Sequence, residues 1–253
     1  MVGINWISWQ MGAAKNGWRE WFQFKSIFCP KVILDYTLPR LTNMNSKILD
    51  LFSTPIKTVQ VGSPELFRIM SDMVYLHLPP NYEKIVEGSG GCSTRDNLNK
   101  SDDFIELYTL IDTEMSKYFN DYLGINSDDV HMTCMWATIQ QSGAKHSTHI
   151  HPNSFYSGVI YLNIPEEEGV VAGNISFIDP RQAKNMWVAD WKKEHGLTHR
   201  AWSIEPTTGL LILFPSWLEH GTDVYITNTN EHRISLSFNY MLDKCSLNTL
   251  KLK

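Results

Sequence analysis

The sequence predicts a mainly β domain with flanking helices, an α+β chain built around a β-sandwich or jelly-roll barrel. Three observations carry this. Short strand-like runs crowd the chain after Gly124, each bounded by Gly, Pro, Asn or a polar stretch. One long stretch of helical periodicity precedes them and none alternates with them, which argues against a parallel α/β sheet. The composition, 43% apolar and 19% charged over 253 residues, suits one large domain, and nine Trp suit a well-filled core or an aromatic-lined cavity.

The elements follow in order. Residues 1–50 hold Trp6, Trp9, Trp18, Trp21 and Phe22 without a sustained period, and read as an N-terminal extension packed on a main domain at 51–253. Leu51 to Val61 is extended, with an interruption at Pro55. Ser63 to Leu76 carries helical spacing at Leu66, Ile69, Met70 and Met73, with Pro64 suited to the first turn. Pro79-Pro80 forces a break. Gly88 to Asn97, rich in Gly, Ser and Asn, reads as a loop. Ser101 to Leu123 is the clearest helix: Phe104, Leu107, Ile111, Met115, Tyr118 and Tyr122 form one apolar stripe. Asp102, Asp103 and Glu106 sit at its positive dipole end, and Gly124 is placed to end it. The strands are His131–Gln140, Tyr156–Asn163, Asn174–Ile178, Gly209–Phe214 and His232–Met241. Residues 181–208 form a polar insertion of a length that is usually functional.

Several classes drop out. Lys+Arg of 22 against Asp+Glu of 27 gives a net charge of −5, with no basic excess to neutralise phosphates, so nucleic-acid binding is disfavoured. No run is long and apolar enough to span a membrane, and the first residues lack the pattern of a secretory signal. Cys29, Cys92, Cys134 and Cys245 are scattered, with no CxxC, as separate thiols in a reducing compartment would be. The expectation is a cytoplasmic protein.

The sharpest chemical feature is Thr148-His149-Ile150-His151. On a strand, positions i and i+2 share a face ~7 Å apart, so two imidazoles can converge on one metal. The best third ligand is His220, at the end of Phe214–His220 beyond a buried-looking strand, where a loop opens at a barrel mouth. Imidazole suits Fe, Zn, Cu or Ni. His146 is a competitor off the same-face spacing. An HxH pair in a surface loop is the plain alternative. In the last strand Ile234, Leu236, Phe238 and Tyr240 share one face; Arg233, Ser235, Ser237 and Asn239 share the other. If that second face lines a polar interior, Arg233 and Ser235 can clamp a carboxylate; otherwise Arg233 sits on a solvated edge. Tyr161 can bring a hydroxyl to the same acid, or be an ordinary core tyrosine.

This order, HxH, then Tyr161-Leu162-Asn163, then a distant His, then Arg-x-Ser, resembles the signature of the Fe(II)/2-oxoglutarate-dependent oxygenases. The closer similarity is to members found in marine microbes and their phages, through Gly143–Leu162, residues 177–181, Gly209–His220 and Arg233–Asn239. It runs from near Leu51 to about Met241. The resemblance implies a double-stranded β-helix (jelly-roll, cupin-like) core. It implies iron ligands at His149, His151 and His220, and a clamp for the distal carboxylate of 2-oxoglutarate at Arg233 and Ser235 with Tyr161. O2 would be the oxidant, an unactivated C–H bond of a small metabolite or protein side chain the target, and succinate and CO2 the coproducts. Trp136, Arg181 and Trp217 are placed on the substrate side, and the 181–208 insertion, with Trp187, Trp191 and Trp202, is the expected lid. Asp179 and Arg181 belong to the resembling stretch without an assigned step. One departure stands out: the commoner ligand set has a carboxylate where His151 stands, and Glu219 and Asp179 are the nearest acidic substitutes. Two rivals remain: a three-His zinc hydrolase or hydratase, and a non-catalytic cupin-like or virion-associated binding module.

Overall fold

The computed structural model describes residues 52–181, 192 and 198–243. The expected N-terminal extension and most of the expected lid, including Trp187 and Trp191, lie outside the described residues.

β1 (Lys57–Gln60) leads into α1 (Pro64–His77). Ser63 caps α1, its Oγ accepting from the Leu66 N–H at 3.2 Å, and Pro64 takes a first-turn position where no amide partner is lost. The helix ends at Leu78, which is extended because Pro79 follows. Its buried stripe is Leu66, Phe67, Met70 and Val74, whereas Ile69 is 38% exposed. Both stripes obey helical spacing. Phe67 decides between them: its ring lies where a Cβ on Gly62 or Gly209 would collide with it.

The segment expected as a loop over Gly88–Asn97 is instead structured. α2 (Tyr82–Ser89) ends on Gly90 at φ 81°, and β2 (Gly91–Ser93) pairs antiparallel with β3. A three-residue Gly-Cys-Ser strand shows no alternation, so nothing in the sequence marked it. The long helix is compound: a 3-10 turn at Asp102–Phe104, α3 (Ile105–Lys117), and a π turn at Tyr118–Leu123 closed by Gly124 at φ 66°. The wider π turn shifts the stripe by one position. Phe119 turns inward, and Tyr122 is left 65% exposed, stacked on Tyr118.

The remaining strands are β3 (Val130–Gln140), β4 (Tyr156–Asn163), β5 (Val171–Ala172), β6 (Ile175–Ile178), β7 (Ala201–Ile204), β8 (Leu210–Pro215), β9 (His220–Thr222), β10 (Tyr225–Ile226) and β11 (Arg233–Leu242). The polar insertion therefore ends in a strand, β7. His220 begins a strand rather than sitting in a loop. The HxH segment belongs to no strand; His149 makes a single antiparallel bridge to His220.

One sheet has the order β1-β8-β4-β11-β3-β2 and a smaller one β7-β6-β9, with β10 and β5 paired beside them, all antiparallel. The large sheet separates two cores. Its outer face, with Ile160, Leu236 and Phe238, packs on α1 and α3 through Phe67, Val74, Leu107 and Ile111. Its inner face, with Val159, Tyr161, Ile212 and Phe214, packs on Ile175 and Phe177 of the small sheet. Two antiparallel sheets closed on one interior, with helices outside, make a double-stranded β-helix.

Candidate active site

The three predicted imidazoles meet. The ring centroids of His149 and His220 are 4.5 Å apart, those of His149 and His151 5.2 Å, and those of His151 and His220 5.1 Å. One ligand atom from each lies within 4.8 Å of the others, and no carboxylate belongs to this group among the described residues. Backbone pairing sets the convergence. His149 and His220 exchange N–H···O bonds at 2.8 and 3.0 Å, and the His151 N–H donates to Ser216 O at 3.0 Å. The HxH segment is thus stitched to the β8–β9 connection without being a strand.

Each ring has its Nδ1 engaged. His149 Nδ1 faces Ser147 O at 2.7 Å, His220 Nδ1 faces Leu218 O at 2.8 Å, and His151 Nδ1 faces Asn239 Oδ1 at 2.6 Å. A carbonyl or amide oxygen only accepts, so each Nδ1 carries a proton, and Nε2 is the atom through which each ring, when neutral, can bind a metal. Burial holds the His220 imidazole down to about 4 and lowers His151 as well, which keeps both in the neutral form a metal requires. Asn239 Oδ1 is fixed in turn by Ser157 Oγ at 2.7 Å, which pairs with Ser216 Oγ at 2.7 Å. An all-imidazole donor set of this kind fits a borderline divalent cation such as Fe(II) or Zn(II).

The same cavity, about 320 Å³, is lined by the three histidines together with Arg233, Ser235 and Tyr161. The odd-numbered face of β11 does point inward. Arg233 is only 2% exposed. Its Nε donates to Ala172 O at 3.1 Å, Nη1 to Gln140 Oε1 at 2.5 Å and Nη2 to Gly173 O at 3.4 Å, while its Cζ stands 5.0 Å from the Tyr161 ring centroid. Burial pushes the Tyr161 phenol up, against the pull of Arg233, so it remains a phenol. Among the described residues no carboxylate pairs with Arg233. A guanidinium taken out of water without an opposite charge is costly unless something anionic arrives to meet it.

Of the residues placed on the substrate side, Trp136 lines this cavity, its ring 5.9 Å from that of His151. Trp217 is 55% exposed and Arg181 pairs with Asp179 at 2.8 Å; neither lines the cavity. Asp179 Oδ1 also accepts from the Arg181 backbone N–H at 2.8 Å, closing a turn. Glu219 is exposed. His146 does line the cavity; the protein around its ring, then Arg233, holds its imidazole down to about 4. Gln140 and Asn239 were not singled out from the sequence. Asn239 shares the parity of Arg233, which is the signal that marks it. Gln140 becomes visible only once β3 is paired with β11.

Residues 134–239 match the family described as "Putative 2OG-Fe(II) oxygenase". No curated protein matches the chain in sequence. Among solved structures, the epimerase SnoN in complex with Fe3+, alpha ketoglutarate and nogalamycin RO is similar with a TM-score of 0.50 at 12% identity, over 74% of this chain and 79% of that one. At that identity the likeness speaks to the fold alone. An oxidoreductase of the 2OG-Fe(II) oxygenase family from Burkholderia pseudomallei aligns at 14% identity over 72% of this chain and 83% of its own, TM-score 0.49. A Pseudomonas putida prolyl-4-hydroxylase aligns at 15% over 74% and 93%, TM-score 0.48. The double-stranded β-helix thus closes around three converging imidazoles, and the stretch from β3 to β11 that builds it is similar in sequence to the 2OG-Fe(II) oxygenase family.

Proposed function

We propose that this protein is an Fe(II)/2-oxoglutarate-dependent oxygenase that hydroxylates an unactivated C–H bond of a small molecule or protein side chain, releasing succinate and CO2. One observation carries the reading: a single cavity is lined by three imidazoles whose Nδ1 atoms are each engaged by an oxygen and by a buried arginine with no carboxylate partner among the described residues.

In this reading His149, His151 and His220 hold the iron through Nε2. Bound iron supplies the activation of O2 that is coupled to loss of CO2 from 2-oxoglutarate. Arg233 receives the distal carboxylate, assisted by Ser235 and the Tyr161 hydroxyl. Imidazole ligands bring no charge, so one carboxylate of the doubly negative cosubstrate would offset part of the metal's +2 charge, while Arg233 would meet the other, distal carboxylate. Trp136, beside His151, shapes the wall on which substrate lies. The bonds from His151 to Asn239 and from Asn239 to Ser157 hold the ring's orientation, which a loosely held HxH loop would lack. A three-His zinc hydrolase uses the same imidazoles and leaves Arg233 buried without an anion. A non-catalytic barrel leaves both features without use.

Anaerobic titration with Fe(II) and then 2-oxoglutarate tests this. A metal-to-ligand charge-transfer band is expected, followed by succinate on addition of O2. The band should vanish in His151→Ala. Protein that takes up Fe(II) yet gives no band and binds no 2-oxoglutarate overturns the reading; exclusive retention of Zn(II), with hydrolytic activity, favours the zinc enzyme.

A further inference from the structure

The acceptors around Arg233 share one property: none of them is charged. Ala172 O and Gly173 O are backbone carbonyls, and Gln140 offers an amide oxygen. Gln140 Oε1 accepts from Arg233 Nη1 at 2.5 Å, and Gln140 is 2% exposed. Its register is fixed, since Gln140 stands directly across from Arg233 in the β3–β11 pair. Its other neighbour in the sheet is Gly91 of β2, where an added Cβ would meet Ile139 O at 2.9 Å and Gln140 Cγ at 3.4 Å. The amide must face Arg233 with its oxygen, because a guanidinium has donors only.

We infer that Gln140 is the positioning residue of the cosubstrate clamp, aiming the Arg233 guanidinium across the cavity while leaving its positive charge whole for the incoming carboxylate. This rests on the clamp reading proposed above. A glutamate has nearly the same shape as glutamine and would reach Arg233 as well. It would also form an internal ion pair in a dry site, so an arriving carboxylate would have to displace a charge already in place. The neutral amide gives direction without that competition. Gln140 thus sets how strongly this barrel binds any dicarboxylic 2-oxo acid, from a position outside the metal group and without entering the chemical step.

The test compares Gln140→Glu, Gln140→Met and Arg233→Met, each loaded anaerobically with Fe(II) and titrated with 2-oxoglutarate at the charge-transfer band. Gln140→Glu should weaken 2-oxoglutarate binding by at least ~30-fold, on the scale of a competing charge-assisted pair. Its Fe(II) affinity should stay that of the wild type, since the histidines do not change. Gln140→Met loses aim and keeps the charge. It should raise the KM for 2-oxoglutarate roughly tenfold, one hydrogen bond to a charged group, with kcat unchanged at saturation. A general packing defect would lower kcat and Fe(II) affinity together. Should Gln140→Glu fail to fold, the KM-against-kcat split in Gln140→Met decides alone. Wild-type 2-oxoglutarate affinity in either Gln140 variant overturns the inference while the clamp stands, provided Arg233→Met has lost binding. Undiminished binding in Arg233→Met overturns the clamp itself.

Discussion

The two faces of β11 have opposite chemistry one residue apart. Ile234, Leu236, Phe238 and Tyr240 are buried against the helices; Arg233, Ser235 and Ser237 line the cavity and Asn239 holds His151. The strand repeats every two residues, so stability and function are written on alternate letters of the same segment. The outer face gains from apolar area and tolerates no polar group without a partner. The inner face carries a guanidinium, hydroxyls and an amide, which only a ligand or a held network makes worthwhile. The sheet lets each face be optimised separately, and that independence can be tested from both sides.

The largest expected effect lies on the outer face. Phe238→Ala should lose ~3–5 kcal/mol of unfolding free energy, the range for truncating a buried aromatic, whereas Ser237→Ala next to it should stay within ~0.5 kcal/mol. Urea denaturation measures both, and equal losses would dissolve the contrast. On the inner face the sign changes. Arg233→Met should cost ~2–4 kcal/mol of 2-oxoglutarate affinity, yet leave the ligand-free protein as stable as the wild type or up to ~1–4 kcal/mol more so, because an uncompensated buried charge has been removed. Thermal melts with and without 2-oxoglutarate separate the two. A ligand-free variant several degrees less stable would mean that Arg233 is a structural strut.

Much of this contrast was legible in the sequence. The alternation in 233–240 assigned both faces, and His149, His151 and His220 were found from their residue types and order along the chain. The reason is physical: a half-buried strand has a short period, and a metal needs a small, recognisable set of donors. What was not legible depends on pairing. The HxH spacing suggested a strand, but its geometry comes from bonds to His220 and Ser216, residues far along the chain. Gln140 acquires its role only from its register against Arg233. The π turn that moved the helix stripe from Tyr122 to Phe119, and the irregularity that skips Thr133 in the β3–β11 register beside Asn239, leave no mark in hydropathy. Asp179 and Arg181, recognised as part of the resembling stretch, turn out to be paired with each other at the end of β6.

A smaller effect sharpens the comparison within β4. Gly158 lies opposite Phe238, and a Cβ there would stand 2.3 Å from the Phe238 ring and 2.8 Å from Ile212 O. Gly158→Ala should cost ~1–3 kcal/mol by overpacking. Combined with Phe238→Leu, it should show a coupling of at least ~0.5 kcal/mol, since the smaller side chain relieves the ring collision but not the one with the backbone. Strict additivity in a double-mutant cycle would show that the two residues do not share that space.

The smallest effect asks whether an edit on the outer face reaches the inner one. Tyr240 donates from its hydroxyl to Asp112 Oδ1 of α3 at 2.9 Å, tying the helix to the strand one residue beyond Asn239. Tyr240→Phe removes a hydrogen bond to a carboxylate and keeps the ring, so ~1.5 kcal/mol or less of stability should go. The Fe(II)/2-oxoglutarate band should keep its position and its affinity. A shifted band would show that α3 helps hold Asn239, and through it the His151 ring, and the two faces of β11 would then be mechanically coupled rather than merely adjacent.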